Sequence, residues 1–458
     1  MNKEKKGQVL DIYCFSPAGL EKSKILSKKQ KAFLTKGGFG AKAGEFLPLA
    51  DNNGQFFAYV FGLGEEKNRP PLLTSLLAVK LSKFEESNLQ YRLLGETDNS
   101  NMSALGFLLG TYKFDKYKEQ SKPSLLKMHK QVDKSEVRRL SEGAFLARDL
   151  INTGANDLGP DGFEKEVVSF AKQRKMKIKI IKGDELLAQN FPMVHAVGRA
   201  SDQAPRLIDM VWGDENDVKI TLVGKGVTFD SGGLNIKHAS GMVLMKKDMG
   251  GAANVLGLAH AIIDAKLKIR LRVILPIVEN AISGSSFRPS DILKSRAGLS
   301  VEIGNTDAEG RLILADALCL ADEEKPEMII DMATLTGAAR VAVGTELVPF
   351  FSNDKDLSDD IFEAGEKWDD PLWPMPLYQS YNKMLDSKVA DVNHVTQGGY
   401  AGSITAALFL QKFIKNTKSW AHLDIYGWSL QERAGRSYGG TDQGIRAVYE
   451  MLKTRYTS

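Results

Sequence analysis

Hydrophobic positions follow two different periods along most of this chain. Short runs rich in β-branched residues predict strands, and longer stretches with apolar residues three and four positions apart predict helices. The predicted strands are 176–181, 218–223, 269–278 and 328–331, and the predicted helices are 137–150, 250–265 and 309–323. Strands and helices that alternate at this spacing are typical of βαβ units. We therefore predict an α/β fold whose larger sheet is mixed, mainly parallel and covered by helices.

The first third of the chain has a less regular pattern. Apolar runs such as Phe56–Phe61 and Leu72–Val79 alternate with lysine-rich polar segments, which indicates a smaller α/β domain. Residues 117–136 are polar and lysine-rich, as exposed connections usually are. The predicted organisation is an N-terminal α/β domain over residues 1–133, a linker helix over 134–152 and a larger C-terminal domain over 153–458.

Composition describes a folded protein and gives no sign of a polyanionic partner. Of the 458 residues, 43% are hydrophobic and 26% are charged, which leaves enough apolar side chain for a large core. The net charge of +4 is too small over this length to indicate nucleic-acid or membrane binding. Cys14 and Cys319 are too few for a disulfide framework, and Asp11 interrupts the one early apolar run. We expect a cytoplasmic protein without a signal peptide or a membrane span.

Familiar catalytic motifs are absent from the sequence. It contains no HExxH and no G-x-S-x-G, and its six histidines show no pair at metal-ligand spacing. Gly224, Lys225 and Gly226 follow a predicted strand but lack the remaining residues of a phosphate-binding loop. An ordinary turn after a strand is therefore a better interpretation of these glycines than a nucleotide site.

Three other segments place acidic residues in glycine-rich sequence directly after a predicted strand. They are VGKGVTFDSGGLNIK (Val223–Lys237), MKKDMGGA (Met245–Ala252) and GNTDAEGRL (Gly304–Leu312). Taken singly, each acidic residue is more often a turn former, a helix cap or a solvated group. Asp248 could cap the helix predicted from Gly250, and Glu309 could favour the first turn of its own helix.

The same segments indicate a functional site if they meet at one edge of the sheet, where the loops after parallel strands converge. Four carboxylates would then share one cleft, and two basic residues would offset only part of their charge. These residues are Asp230, Asp248, Asp307 and Glu309, with Lys237 and Arg311. Like charges this close either raise the pKa values of the carboxylates strongly or require counter-cations, and two divalent cations would offset the remaining charge. We also expect an extended segment that points Asp307 and Glu309 the same way.

The ligand chemistry narrows the choice of metal and reaction. Oxygen ligands without histidine favour Mn²⁺, Mg²⁺ or carboxylate-bound Zn²⁺. Two metals held by bridging carboxylates are the apparatus of hydrolytic displacement.

At these residues the sequence resembles a known family. GKGVTFDSGGLNIK, MKKDMGG and above all NTDAEGRL are similar to the signature segments of the leucyl (cytosol) aminopeptidase family, peptidase family M17. The resemblance covers roughly residues 140–458 and includes ARDLINTGANDLGP, YAGSITAALFLQKF and WAHLDIYGW. The N-terminal third has no matching motif. The resemblance implies a metal-dependent exopeptidase and makes residues 153–458 the catalytic two-metal domain.

The resemblance also implies a role for each charged residue. The implied metal ligands are Asp230 and Glu309, which bridge the two ions, Asp307 at the more exchangeable site, and Lys225 and Asp248 at the tighter one. As a ligand, Lys225 must be a neutral amine, which nearby dications favour. Lys237 would polarise the scissile carbonyl.

An anion and a substrate pocket complete the implied site. Arg311, with Gly310 and Leu312, would hold a bicarbonate at the start of the helix, where free backbone N–H groups favour an anion. That bicarbonate would be the general base for metal-bound water. The implied substrate contacts are Lys237, Met245, Thr334, Leu335 and Gly337. For Met245, ordinary core packing is nearly as good an interpretation.

The family further implies a homohexamer that takes small peptides, prefers leucine and other apolar first residues, and holds Mn²⁺ or Zn²⁺, with Mg²⁺ or Co²⁺ as alternatives. Two other functions stay open. A nucleic-acid-binding or scaffold protein would use the lysines of residues 1–36 and 114–139, although a charge run is usually a solvated face. Its affinity would fall steeply with salt. A hydrolase of another amide, such as a Cys-Gly dipeptide, would keep the same chemistry.

Overall fold

A computed structural model of the chain describes residues 9–51, 53–83, 89–97 and 100–457. The chain divides into two compact units. The first comprises Met1–Glu142 and Leu430–Tyr438, and the second comprises Gly143–Ser429 and Gly439–Ser458. The first unit thus includes a segment from near the carboxyl terminus, which nothing in the sequence pattern signals. No helix in the described part of the chain is long and apolar enough to cross a membrane.

The first unit is a small α/β structure. Its elements are β1 (Val9–Phe15), α1 (Pro17–Lys22), α2 (Lys28–Lys36), β2 (Phe46–Ala50), β3 (Phe56–Gly62), a 3₁₀ turn (Glu66–Asn68), α3 (Thr74–Leu81), β4 (Gln90–Gly95), α4 (Ser100–Gly110), β5 (Leu125–Leu126) and the first half of α5 (Lys134–Asn152). The strands form a sheet in the order β2-β3-β1-β4-β5, in which only β2 is antiparallel to its neighbour.

Both faces of this sheet are buried, as alternate residues of β3 show. Tyr59 and Phe61 pack into one apolar cluster, whereas Ala58 and Val60 pack into another. Since side chains along a strand point alternately to opposite faces, a sheet covered on both sides has apolar residues at nearly every position. This explains the apolar run Ala58–Phe61, whereas Phe56 and Phe57 at the start of the strand are exposed. The small α/β domain expected in this part of the chain is confirmed.

The second unit carries the larger sheet. Its elements are the second half of α5, α6 (Pro160–Gln173), β6 (Lys177–Lys182), α7 (Glu185–Ala188), α8 (Pro192–Gly198), β7 (Arg206–Trp212), β8 (Val218–Gly224), β9 (Gly226–Asp230), α9 (Ala239–Met242), a 3₁₀ segment (Met245–Met249), α10 (Gly250–Ala265), β10 (Ile269–Asn280), β11 (Ile292–Lys294), β12 (Ser300–Glu302), a 3₁₀ turn (Thr306–Ala308), α11 (Glu309–Glu323) and β13 (Met328–Ala333). They continue with α12 (Gly337–Val343), β14 (Val348–Ser352), α13 (Lys355–Lys367), β15 (Leu372–Pro374), a 3₁₀ segment (Gln379–Leu385), β16 (Val392–Asn393), α14 (Gly402–Gln411), β17 (Ser419–Asp424), β18 (Trp428–Ser429), β19 (Gly439–Gly440) and α15 (Ile445–Tyr456).

The larger sheet runs in the order β15-β14-β17-β13-β8-β10-β7-β6, and β9 pairs with β10 beside this path. Its centre, from β17 through β13 and β8 to β10, is parallel, while β7, β6 and the β14–β17 pair are antiparallel. Residues of α8, α11 and α14 pack with these strands in one large apolar cluster. The predicted mixed, mainly parallel sheet covered by helices is confirmed.

The predicted elements agree closely with the structure. The helices 250–265 and 309–323 have the expected bounds, and the strands predicted at 218–223, 269–278 and 328–331 extend one or two residues further. The helical pattern of 137–150 is part of α5, and the division between the two units falls inside that helix.

Candidate metal centre

Three carboxylates from different segments meet at the carboxyl ends of the central strands. Asp230 is the last residue of β9, Asp307 lies in the 3₁₀ turn Thr306–Ala308, and Glu309 begins α11. One oxygen atom from each of the three lies within 4.8 Å of the others, which is close enough to share a metal ion. The structure therefore brings together three of the acidic residues singled out from the sequence.

The expectation that Asp307 and Glu309 lie on an extended segment is wrong. Asp307 lies in a 3₁₀ turn, and the side chain of Asn305 closes that turn by accepting a hydrogen bond from the Asp307 N–H at 2.9 Å. Asparagine favours such local side-chain bonds, which compete with an extended conformation. The two carboxylates converge because a tight turn leads directly into the helix.

Lys225 and Asp248 adjoin this cluster. The Lys225 Nζ lies 2.7 Å from Asp248 Oδ2, 3.1 Å from Glu309 Oε1 and 3.0 Å from the backbone oxygen of Thr334. Gly310 makes this approach possible, because a Cβ atom at that position would lie 2.4 Å from the Lys225 Cε. The buried lysine thus crosses the first turn of α11 to reach the carboxylates.

The alternative in which Asp248 caps the following helix is wrong. The N-cap residue of α10 is Met249, and no side chain caps that end of the helix. Asp248 instead accepts a hydrogen bond from the Thr334 hydroxyl at 2.8 Å and pairs with Lys225. Its carboxylate is therefore directed into the cluster.

Lys237 adjoins the opposite part of the cluster. Its Nζ lies 2.7 Å from Asp230 Oδ2 and also pairs with Asp307. Four carboxylates and two ammonium groups leave a net charge of −2 when all six are ionised. Two basic residues therefore offset half of the negative charge.

The electrostatics of the cluster favour additional cations. Burial, followed by the charge of Asp230, raises the pKa of Glu309 to about 8 and that of Asp307 to about 6. Glu309 Oε2 is buried and accepts no hydrogen bond from any described residue. A buried carboxylate oxygen without a donor is costly unless a cation or a proton compensates it. Oxygen ligands and uncompensated charge therefore fit divalent ions well.

The two lysines have elevated affinity for their protons in this arrangement. Burial is the largest single influence on each lysine and lowers its pKa. The surrounding carboxylates together outweigh burial and raise the pKa of Lys225 and Lys237 above the ordinary value. For Lys225 to be a neutral ligand, a metal ion must replace its proton among the same carboxylates.

Arg311 lies in the first turn of α11. Its Nη1 donates a hydrogen bond to the backbone oxygen of His394 at 2.7 Å, while its Nε is buried and has no hydrogen-bond partner among the described residues. Burial lowers the pKa of Arg311 to about 10. An unpaired guanidinium N–H beside the free backbone N–H groups of a helix start fits a small anion. Leu312, the third predicted member of this anion site, is buried in the core.

Three of the predicted substrate residues lie after β13, while Lys237 and Met245 precede it in the chain. Thr334 contacts both Lys225 and Asp248 at the cluster, and Leu335 follows it. Gly337 is the first residue of α12. Met245 comes from the 3₁₀ segment before α10 and is buried, which is equally expected of core packing.

Three supporting residues were missed in the sequence analysis. Asp424, the last residue of β17, accepts hydrogen bonds from the backbone N–H groups of Leu335 and Thr336 at 3.0 and 3.1 Å. The buried imidazole of His394 bonds the Asn305 backbone oxygen at 2.9 Å through Nε2. The third is Asn280, the last residue of β10. Asp424 and Asn280 are polar residues at strand ends, the signal that also marked the acidic segments.

Comparisons with known proteins match this chain over most of its length. The model of the cytosol aminopeptidase family, catalytic domain, matches residues 145–449. A probable cytosol aminopeptidase of Chlorobium limicola is 36% identical and covers 91% of this chain and 90% of its own. Another, from Clostridium perfringens, is 40% identical over 76% of this chain and 75% of its own.

Two solved structures are also similar. The crystal structure of a cytosol aminopeptidase from Coxiella burnetii matches with a TM-score of 0.91 and 41% identity over 99% of both chains. The bottromycin maturation enzyme BotP, in complex with Mn, matches with a TM-score of 0.88 and 30% identity over 98% of this chain and 99% of its own.

Proposed function

Because this chain belongs to the cytosol aminopeptidase family, a family of metal-dependent peptidases, we propose that it removes apolar first residues, leucine above all, from small peptides. The observation that carries this proposal is the cluster of Asp230, Asp307 and Glu309, which lies inside the segment that the family model matches. The Mn-bound relative supports a metal at this cluster, with Mn²⁺ or Zn²⁺ as our first choices and Mg²⁺ or Co²⁺ as alternatives.

Five residues would hold two divalent ions. Asp230 and Glu309 would contribute to both sites, Asp307 to one, and Lys225 and Asp248 to the other. Bound ions of this kind supply a water of lowered pKa and polarise a carbonyl. We propose that the metal at the Asp307 site exchanges more readily than the other. The exposure of Asp307 supports this, because it is the least buried of the four carboxylates.

Lys237 would stabilise the negative charge that develops on the carbonyl oxygen. In the present arrangement its ammonium group is held by Asp230 and Asp307. Lys237 would be released from these oxygens when the carboxylates hold metal, and its ammonium group would then face the substrate. A preorganised donor at a developing oxyanion is among the largest contributions to catalysis.

Arg311 would hold a bicarbonate, and this anion would supply the general base for the reaction. The support is its buried Nε, which lacks a partner among the described residues, at the start of α11. The first side chain of the peptide would lie against Thr334, Leu335, Gly337 and Met245. Asp424 fixes the backbone of the loop after β13, which would hold this wall of the proposed pocket in place.

The assembly and location proposed here come from the family resemblance. We propose a cytoplasmic homohexamer. Support for contacts between subunits comes from three strongly exposed apolar side chains of the second unit: Val341, Tyr400 and Val243. Both cysteines are free thiols, which agrees with a reducing compartment.

The deciding experiment measures hydrolysis of leucine p-nitroanilide by the chelated protein, before and after addition of Mn²⁺ or Zn²⁺. We expect activity only with metal. Asp307→Ala should bind less metal and lose that activity. Lys237→Met should keep the metal but lower kcat by about 100-fold to 1,000-fold. Failure of every metal to support turnover across a panel of first residues, by folded wild-type protein, would overturn the proposed function.

A further inference from the structure

Asn280 lies beside the carboxylate cluster without belonging to it. It is the last residue of β10 and is paired in register with Asp230 of β9. The register between these two parallel strands shifts by one residue between Val278 and Asn280. Such a bulge re-aims side chains at the end of a strand. Here the irregular pairing sets the fully buried side chain of Asn280 against Asp230.

The amide group of Asn280 bonds two of the segments that carry carboxylates. Its Nδ2 donates one hydrogen bond to Asp230 Oδ1 at 2.8 Å and another to the backbone oxygen of Thr306 at 3.1 Å. Thr306 immediately precedes Asp307. Both N–H groups of one amide are therefore used to join the end of β9 to the turn that holds Asp307.

The remaining contacts of Asp230 show what this bond achieves. Asp230 Oδ1 also accepts a hydrogen bond from the Gly232 N–H at 2.9 Å, whereas Oδ2 faces Lys237. Two donors on one oxygen fix the rotation of the carboxylate and leave the other oxygen directed into the cluster. A neutral amide does this without adding charge to a group of residues that is already strongly negative.

The oxygen atom of the Asn280 side chain joins no segments in this way. Asn280 Oδ1 is buried without a hydrogen-bond partner among the described residues. A Cβ atom on Gly233 would lie 2.9 Å from it, so the loop after β9 leaves this oxygen little room. A buried acceptor without a donor destabilises the folded state. Retaining an amide here at that cost indicates that its two donors matter for more than packing.

We propose that Asn280 is a positioning residue that sets the separation of the Asp230 and Asp307 carboxylates and thereby the affinity for metal. This inference rests on the proposed function, in which both carboxylates bind an ion. Residues that hydrogen-bond metal ligands typically contribute a factor of about 10–100 to metal affinity. Asn280 acts through Asp230 and the backbone of Thr306, and it needs no contact with substrate.

The test compares Mn²⁺ binding by the chelated full-length protein and its variants, using calorimetry and electron paramagnetic resonance. Asn280→Leu removes both donors at similar volume, and Asn280→Ala is the second variant if leucine prevents folding. Asn254→Leu is the matched control, because Asn254 is equally buried and bonds Gly250 and Gln443 instead of a carboxylate. Thermal unfolding establishes that each variant is folded at the temperature of the measurement.

We expect the Asn280 variants to bind Mn²⁺ about 10–100-fold more weakly and to lose the resonance signal of a coupled ion pair. Raising the Mn²⁺ concentration should restore much of their activity, and Asn254→Leu should keep wild-type affinity. Unchanged affinity in a folded Asn280 variant overturns the inference, as does an equal loss in the control. Absence of Mn²⁺ binding by the wild type would instead refute the proposed function on which the inference rests.

Discussion

His394 supports the turn that carries Asp307 through its imidazole ring. Its Nε2 lies 2.9 Å from the backbone oxygen of Asn305, and its Nδ1 lies 3.1 Å from the backbone oxygen of Glu302 and 3.2 Å from the Gly304 nitrogen. Burial favours the neutral ring, which can donate from only one of these two nitrogens. Its own backbone oxygen accepts from Arg311. One neutral residue thus supports both the turn that carries Asp307 and the guanidinium proposed to hold bicarbonate.

The neutral state of His394 predicts a pH dependence of stability. Burial lowers its pKa from 6.5 to about 3. Between these values the unfolded chain binds a proton that the folded chain excludes, so the free energy of unfolding falls as pH falls below 6.5. The contribution of His394 to the free energy of unfolding is fully present above pH 6.5. It falls by about 1.4 kcal/mol for each pH unit below 6.5.

Replacing His394 by glutamine keeps a donor and an acceptor but removes the titration. From pH 7 to pH 5 the wild type should therefore lose about 2 kcal/mol more stability than His394→Gln. Urea unfolding of both chelated proteins at pH 7, 6 and 5 measures this difference. Parallel pH profiles for the two proteins would contradict the prediction.

At the scale of secondary-structure elements, close approach of helix and strand determines where glycine is required. Gly251 lies in the first turn of α10, and a Cβ atom there would be 2.0 Å from the backbone oxygen of Met332 in β13. Gly224, at the end of β8, meets Ala252 of α10 in a similar way. The helix start is thereby pressed against the strand ends, directly after Asp248.

Substitution of Gly251 by alanine should force α10 and β13 apart. Because the obstructing atom is backbone, no side-chain movement relieves the contact, and we expect a loss of about 1–3 kcal/mol or more in the free energy of unfolding. Gly284→Ala is the control, since its added Cβ meets nothing within 4 Å. Denaturant unfolding of both variants tests the contrast, and equal stability would contradict the packing argument.

At the scale of the whole molecule, the predictable parts are those that depend on local pattern. The spacing of apolar residues predicted the bounds of α10 and α11. The rule that loops after parallel strands converge predicted that Asp230, Asp307 and Glu309 lie close together. The supporting residues depend on pairing across the sheet. Asp424 reaches the loop after β13 because its strand neighbour is Ala333, a register that no local pattern encodes.

The assembly state can be tested by mass. Six chains of 50.4 kDa amount to about 302 kDa, and light scattering coupled to gel filtration should give that value if the proposed hexamer forms. The apolar side chains Val341 and Tyr400 are 90% and 85% exposed in the single chain, which a larger assembly would be expected to cover. Full activity in a 50 kDa species would contradict the hexamer.

The segment Leu430–Tyr438 has a consequence for the order in which the protein is made. It belongs to the first compact unit, where the Gly435 N–H bonds the Ser75 hydroxyl at 2.6 Å. A ribosome synthesises the chain from its amino terminus, so the first 142 residues emerge long before this segment. The amino-terminal unit therefore waits for nearly the entire chain to be translated before its last piece arrives, and residues 1–142 alone lack part of their own structure.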